Sequence, residues 1–499
     1  MELHFTKSIC QCLQKVVCQT VSQEQTQEIR LPDSLPDIGR VLGCWGQVII
    51  RGKEWRGNGM NVSGGVMVWV LYAPEDGSQI RSMEGWVPMQ MKWDFPQTQR
   101  DGAICVQPLL KSVDARSVSP RKLMVRTLVS AMGEALEPVD MDIFTAPQVP
   151  EDVQLNKQTY PLELPMEAGE KSFQMEEDLS IPPSAPPVSQ ILRYWMEPSI
   201  LEQKVLAGRL VFRGNAMLRM RYCTEDGSIH NWDWEIPMSQ YTELDKDHSP
   251  SATASIVPIV TNLELNRDEE GKWKMNCGIS AQYTVFDRQI LELISDAYSV
   301  SRQVQPRTEM LKLPVRLEQR QEDMTLKGQW EGQGQKIFDI SFGAGHPKQI
   351  QMDEELEMEL PGVFQMLYTD ENGDLQDTQV RCSDSMTMAN DPGNRVSVLV
   401  QSLDDPHGTL TGDGAVLTAN VRMTQDVYSE AGMPMVTALE LGEAVQPDPN
   451  RPSLILRRTD DHGLWEIAKE CGSTVDAICK ANGLTSEPES GRLLLIPVM

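Results

Sequence analysis

The chain repeats itself, and the repeat limits what it can fold into. Sliding the sequence so that Leu31 lies on Ile181 places Leu31-Pro-Asp-Ser-Leu-Pro-Asp-Ile-Gly-Arg-Val-Leu42 over Ile181-Pro-Pro-Ser-Ala-Pro-Pro-Val-Ser-Gln-Ile-Leu192; both read apolar-Pro-x-Ser-x-Pro, then an aliphatic pair. The same shift lays Tyr72-Ala-Pro-Glu-Asp-Gly77 on Tyr222-Cys-Thr-Glu-Asp-Gly227, and a third copy stands at Tyr368-Thr-Asp-Glu-Asn-Gly373. A closing signature recurs as Asp142-Ile-Phe144-Thr145, Asp296-Ala-Tyr298-Ser299 and Asp426-Val-Tyr428-Ser429. Self-similarity at a near-constant spacing marks units that fold alike. A chain of 499 residues also exceeds one core, since domains typically run to roughly 100–150 residues.

The expected division is a first repeat over residues 1–146, a Pro- and Glu-rich connector over 147–178 with room for a lead-in strand, and a second repeat over 179–300. A third, degenerate repeat over 301–430 lacks the Pro-x-Ser-x-Pro lead-in. A linker over 431–452 ends in Gln446-Pro-Asp-Pro-Asn-Arg-Pro452, stiffened by proline, and residues 453–499 form a module of different character.

Each repeat tyrosine ends a run of period two: Val68, Val70 and Tyr72; Leu218, Met220 and Tyr222; Phe364, Met366 and Tyr368. That spacing predicts a strand with these side chains on one face. Arg219 and Arg221 then point the other way, towards solvent. The following Asp-Gly or Asn-Gly supplies the positive-φ residue of an antiparallel hairpin. Frequent punctuation by 32 Pro and 35 Gly favours short strands and turns over long helices. The expected fold class is mainly β and multidomain, with tandem antiparallel β-rich repeats.

The C-terminal module reads differently. Ser453-Leu-Ile-Leu-Arg-Arg458 is a strand, and Leu464, Ile467 and Ala468 stand at helical i, i+3, i+4 spacing with Asp461 as a cap. Ser473 with Asp476 has the form of a capping box, Val475, Ile478 and Cys479 form an inward stripe, and Asn482-Gly483 stops this second helix. Arg492-Leu-Leu-Leu-Ile-Pro497 is a closing strand, so the order is βααβ.

This order resembles the LysM module, whose Leu-Trp-x-Ile-Ala, Asn-Gly-Leu and Leu-x-Ile-Pro elements stand here as Leu464-Trp465-Glu466-Ile467-Ala468, Asn482-Gly483-Leu484 and Leu494-Leu495-Ile496-Pro497. Family members carry Gly-Asp-Thr or Gly-Asp-Ser before the Leu-Trp, and that loop, with the loop after the second helix, forms their N-acetylglucosamine groove. Here the first loop reads Asp460-Asp461-His462-Gly463. A sugar acetamide buried without partners is costly, so the departure favours a protein ligand. The resemblance implies a partner-binding surface of Asp460, Asp461, His462, Gly463, Leu464, Asn482, Gly483 and Leu484, with Trp465 and Ile467 as core.

The repeats, with Leu31-Pro-Asp-Ser-Leu-Pro-Asp-Ile38 and the tyrosine hairpin, resemble the SPOCS domain of clostridial spore proteins. Tandem copies followed by one LysM are the arrangement of the SipL-like spore coat morphogenesis family. The resemblance implies a non-enzymatic scaffold in the mother-cell cytoplasm at the forespore surface, binding a SpoIVA-like ATPase through its LysM. The alternative is a wall-associated protein whose LysM grips an N-acetylglucosamine-containing glycan of peptidoglycan; a wall hydrolase targeted by its LysM is a third class.

Composition narrows the partners. With 45 Lys and Arg against 72 Asp and Glu, the formal charge is −27, a surface that repels phosphate backbones and anionic lipid headgroups. No nucleic acid is expected as a partner. The start, Met1-Glu-Leu-His-Phe-Thr-Lys-Ser-Ile-Cys10, has no apolar run of a secretory signal. The longest apolar stretch, Val66 to Ala73, falls far short of the roughly 18 residues that span a bilayer. No catalytic residues, metal or cofactor are expected. The chain has no G-x-x-x-x-G-K-[ST], H-E-x-x-H or G-x-S-x-G motif, and its six histidines are scattered singly. Ten cysteines lack paired C-x2-C spacing, and Cys10, Cys12 and Cys18 have only His4 nearby as a fourth ligand. Asp353-Glu354-Glu355 opens a strand with a solvated face, and Trp86, Trp93, Trp232 and Trp234 fill cores or seams.

Overall fold

A computed structural model describes residues 2–145, 149–182, 184–269, 272–429, 431–445, 451–459 and 463–499. The protein is mainly β. After a short β1 (Glu2–His4), the first repeat holds β2 (Thr6–Arg30), β3 (Ile38–Arg56), β4 (Gly59–Pro74), β5 (Arg81–Asp94), β6 (Ala103–Ser119) and β7 (Lys122–Thr145). The second holds β8 (Val153–Leu179), β9 (Gln190–Leu206), β10 (Arg209–Cys223), β11 (Ile229–Glu243), β12 (Thr253–Arg267) and β13 (Trp273–Ser299). Strand β14 (Arg302–Leu311) leads to the third, with β15 (Val315–Glu331), β16 (Lys336–Ala344), β17 (Lys348–Met352), β18 (Glu355–Thr369), β19 (Leu375–Ala389), β20 (Asn394–Ser402), β21 (His407–Thr411) and β22 (Gly414–Ser429). There follow β23 (Met433–Ala444), β24 (Leu454–Arg458), α1 (Leu464–Cys471), α2 (Val475–Asn482) and β25 (Leu493–Pro497).

One topology serves all three repeats. A meander forms the first antiparallel sheet, β3-β4-β5 or β9-β10-β11, and the opening strand returns to pair with the closing one in a second sheet, β2-β7-β6 or β8-β13-β12. In the third repeat the meander sheet centres on β18, with β16 and β17 on one side and β19 on the other, while β15, β20 and β21 pair with β22. Two strands that are continuous in the earlier copies are thus broken in the third. In each copy the two sheets face one another over a shared core. In the first, Val66, Val68, Val70 and Tyr72 of β4 meet Val106 of β6 and Leu123, Val125 and Val129 of β7.

The tyrosine hairpins form as the alternation predicts. Gly77, Gly227 and Gly373 sit at φ +72°, +85° and +82°, where a Cβ is disfavoured. The Pro-x-Ser-x-Pro segments explain the tyrosines: Tyr72 donates its hydroxyl proton to the Pro36 carbonyl at 3.0 Å, and Tyr222 donates to Pro186 at 3.2 Å. Both lead-ins also turn alike, with Leu35 N–H to Pro32 and Ala185 N–H to Pro182. The third repeat lacks this lead-in, and Tyr368 packs instead against Trp330 at 4.6 Å between ring centroids.

Several expectations are corrected. The connector expected over 147–178 does carry a strand leading into the second repeat, but that strand takes up most of it: from Val153 onward it is β8, paired with β13 from Val153 opposite Ser299 to Leu179 opposite Trp273. Its prolines disguised it, but β8 is an edge strand, where a missing N–H is tolerated, and Pro165 lies at a register shift. The second repeat therefore begins at Val153. The segment 431–452 is not all linker either, because β23 pairs with both β14 and β1. Arg219 and Arg221, expected in solvent, are only 9% and 8% exposed, because their strand face meets the third repeat.

Each repeat touches both others. Gln47 of the first exchanges hydrogen bonds with the Met196 backbone of the second, at 2.6 and 3.1 Å. Asp339 of the third accepts from Arg193 and Arg221 of the second, and Gln365 of the third donates to the Cys44 carbonyl of the first at 3.1 Å. Further along the junction, Lys53 donates to Gln282, Arg316 to Glu163 and Ser397 to Glu134. Cys10 and Cys12 pack in an apolar cluster with Ile143, Leu164, Leu293, Leu313 and Met435. Burial pushes the Cys12 thiol up to about 12. Cys18 is exposed, and its thiol donates to Glu134 at 3.3 Å. Among the described residues no helix is long and apolar enough to cross a membrane.

Candidate functional site

Two places gather chemistry: the junction of the three repeats and the C-terminal module. The junction encloses a cavity of about 630 Å³ lined by Trp45, Trp195, Arg193, Arg219, Arg221 and Asp339 among others. Its charges are matched in place. Arg221 donates from Nε to Asp339 at 2.9 Å and from Nη1 to Asp233 at 3.1 Å, while Arg219 donates to Glu197 at 2.9 Å and to Asp233 at 3.1 Å, and pairs with Asp405. Burial alone would raise the Asp339 carboxyl, but the guanidinium groups of Arg193 and Arg221 outweigh it and hold it below the usual carboxylate range. The indole of Trp195 lies under Arg193 and Arg221, at 4.3 and 4.8 Å, and Trp45 under Arg193 at 4.9 Å. Aromatic faces covered by cations are not free to stack on a sugar. Among the described residues, no group of His, Cys, Asp and Glu side chains is placed to hold a metal ion.

The C-terminal module folds in the order βααβ, with β24 and β25 antiparallel. Leu464, Ile467, Ala468 and Cys471 of α1 and Ile478 of α2 bury against Leu494 and Ile496. The caps differ in detail from the sequence reading. Thr474, not Ser473, caps α2, its side chain accepting the Ala477 N–H, and Gly463 stands at the N-cap of α1 without a side-chain cap. Gly472 and Gly483 end the two helices in the left-handed conformation, at φ 61° and 62°, where glycine is favoured.

One face of α1 is spent on the second repeat. The Trp465 indole N–H donates to the Asp296 carboxylate at 2.9 Å, and Lys469 reaches the same oxygen at 2.6 Å. The Tyr298 hydroxyl donates to the Ser473 carbonyl at 2.9 Å, and its ring meets Trp465 edge-on at 4.8 Å. Burial would raise the Asp296 carboxyl, yet Lys469 and Trp465 hold it below its ordinary value. Trp465, read as core, is therefore also an intramolecular contact. The closing signature of the second repeat is what grips the module.

The candidate surface is partly assembled. Asp460, Asp461 and His462 lie outside the described residues, so Asp461 as a cap does too. Leu464 is buried, and its backbone N–H is taken by the Glu487 carboxylate, at 3.2 and 3.3 Å. Asn482 is structural: its side chain donates to Ile478 and Leu495 carbonyls and accepts the Leu495 N–H, tying the end of α2 to β25. Leu484 packs at the core edge. Gly463 and Gly483 remain as helix-end positions, with Gly483 exposed. The sequence reading missed Glu487, which carries no motif, and missed Asp296 and Tyr298 as a dock, although their recurrence marked them. Compared with family models, curated proteins and solved structures, the chain finds no match.

Proposed function

We propose that the protein is a non-enzymatic scaffold of endospore coat assembly, of the SPOCS-plus-LysM kind. It would act at the forespore surface, with the C-terminal module capturing a SpoIVA-like ATPase. The observation that carries a protein ligand over a glycan is the Glu487 bridge. A LysM groove lies between the loop before α1 and the loop after α2, and here a carboxylate from the second loop already occupies the backbone donor at the start of α1. A glycan acetamide entering there would have to displace a charge-assisted hydrogen bond. The module is held through α1 on the second repeat, while the loop over residues 485–487 is exposed. The repeats supply a base whose junction charges are matched.

The test mixes purified full-length protein with a purified SpoIVA-like ATPase and, separately, with insoluble peptidoglycan. Retention of the ATPase, weakened by Asp461→Ala with His462→Ala, and no sedimentation with the wall are expected. Sedimentation with peptidoglycan instead, strengthened by Glu487→Ala, would replace this reading with that of a wall-associated glycan binder.

A further inference from the structure

A second cavity, of about 280 Å³, lies where all three repeats meet. Its walls are apolar and come from each of them: Leu136, Val139 and Met141 of β7, Pro165 of β8, Leu313 between β14 and β15, and Val396 of β20. Leu136, Pro165 and Leu313 are buried and form its deep part. Four charged side chains line it, the cations Lys15, Lys312 and Arg395 and the carboxylate Glu134. Glu134 is already engaged: it accepts from Lys15 at 2.6 Å, from Ser397 at 2.9 Å and from Cys18 at 3.3 Å. Lys15 and Glu134 cancel, so the net positive charge of the lining belongs to Lys312 and Arg395, both exposed at the mouth. On a chain of formal charge −27 this is a local inversion of sign, and a cleft of one sign concentrates ions of the other.

We propose that this cavity binds a small amphiphilic carboxylate, its apolar tail among the walls and its head against Lys312 and Arg395. Apolar walls with a few placed polar groups are the usual make-up of small-molecule sites. The volume sets the size: at about 30 Å³ for each water-sized group, the space admits about nine, an aliphatic chain of about eight carbons with its carboxylate. A cationic head would meet two like charges at the mouth, and a neutral head would forgo their attraction. A ligand seated there touches all three repeats at once. The site goes beyond the capture proposed above and stands whether or not the C-terminal module holds an ATPase.

Cys18 lines the cavity and is exposed, so it reports occupancy. Full-length protein is treated with N-ethylmaleimide in the presence of octanoate, octanol or octylammonium, and alkylation of Cys18 is followed by peptide mass spectrometry. Octanoate should slow alkylation, octanol should need a roughly tenfold higher concentration for the same effect, and octylammonium should not protect. As an independent reading, octanoate should raise the thermal midpoint, since a ligand of the folded state stabilises it. Lys312→Glu with Arg395→Glu should lose both effects of octanoate and gain protection by octylammonium. Both positions are exposed, so circular dichroism of this variant should overlay that of the parent. Neither protection nor a raised midpoint with octanoate overturns the proposal. So does equal protection by octanol, which would make the cavity merely apolar, or an octanoate effect that survives in the double variant, which would place the head elsewhere.

Discussion

Tyr72 and Tyr222 hold their lead-in prolines with the same hydrogen bond across the same stretch of chain. Tyr222→Phe should cost about 1 kcal/mol, the net value of a buried hydrogen bond, read as a lower urea midpoint at unchanged m-value. Tyr72→Phe should match it, and Tyr368→Phe should cost less, since Tyr368 packs on Trp330 and has no such lead-in. His346 carries a pH signature. Burial, helped by the charge of Lys111, lowers its imidazole from 6.5 to about 4, against a hydrogen bond with the Ser130 backbone. A histidine kept neutral in the fold contributes stability that is present above pH 6.5 and is lost as the pH falls towards about 4, because the unfolded chain binds the extra proton there. His346→Gln should flatten the decline of the thermal midpoint in that window, and an unchanged profile would place the imidazole in water.

At the scale of elements, β8 and α1 decide most. A fragment of residues 149–300 should fold, whereas 180–300 should not give dispersed amide resonances, because β13 would lose its partner along nearly its whole length and expose a long hydrophobic edge. Docking of α1 rests on Asp296 and Tyr298. Asp296→Asn with Tyr298→Phe should leave the module folded but release it, seen as faster proteolysis around residues 446–452 with no loss of helical signal. The fixed position of Trp465 is tertiary in origin: a half-polar indole is compatible with core or contact, and only the presence of Asp296 across the seam decides between them.

For the whole molecule, the ion network at the junction is the decisive feature. Removing one partner of a buried ion network typically costs about 3–5 kcal/mol, since it strands the remaining charge. Asp339→Asn should therefore destabilise the second and third repeats together, lowering a shared thermal transition, while Asp405→Asn, at a half-exposed rim, should act weakly. Independent melting of the repeats in the parent protein would contradict the mutual contacts.

The sequence by itself determined the three-fold repetition, the tyrosine hairpins, the glycine turns and the βααβ order of the last module. All of these are local: alternation sets which side chains share a strand face, and positive φ demands glycine. Tertiary structure decided what the periodicity could not. Arg219 and Arg221 alternate with buried residues just as solvent-facing side chains do; Asp233 stands across the same hairpin, but Asp339 and Asp405, which complete the pairing and make the burial tolerable, come from the third repeat, far away in sequence. A Pro- and Glu-rich segment became β8 because its partner β13 lies about a hundred residues on; loop composition and edge-strand composition look alike until the partner is in place. The Glu487 bridge arose in the same way, from two loops brought together by the packing of α1 and α2.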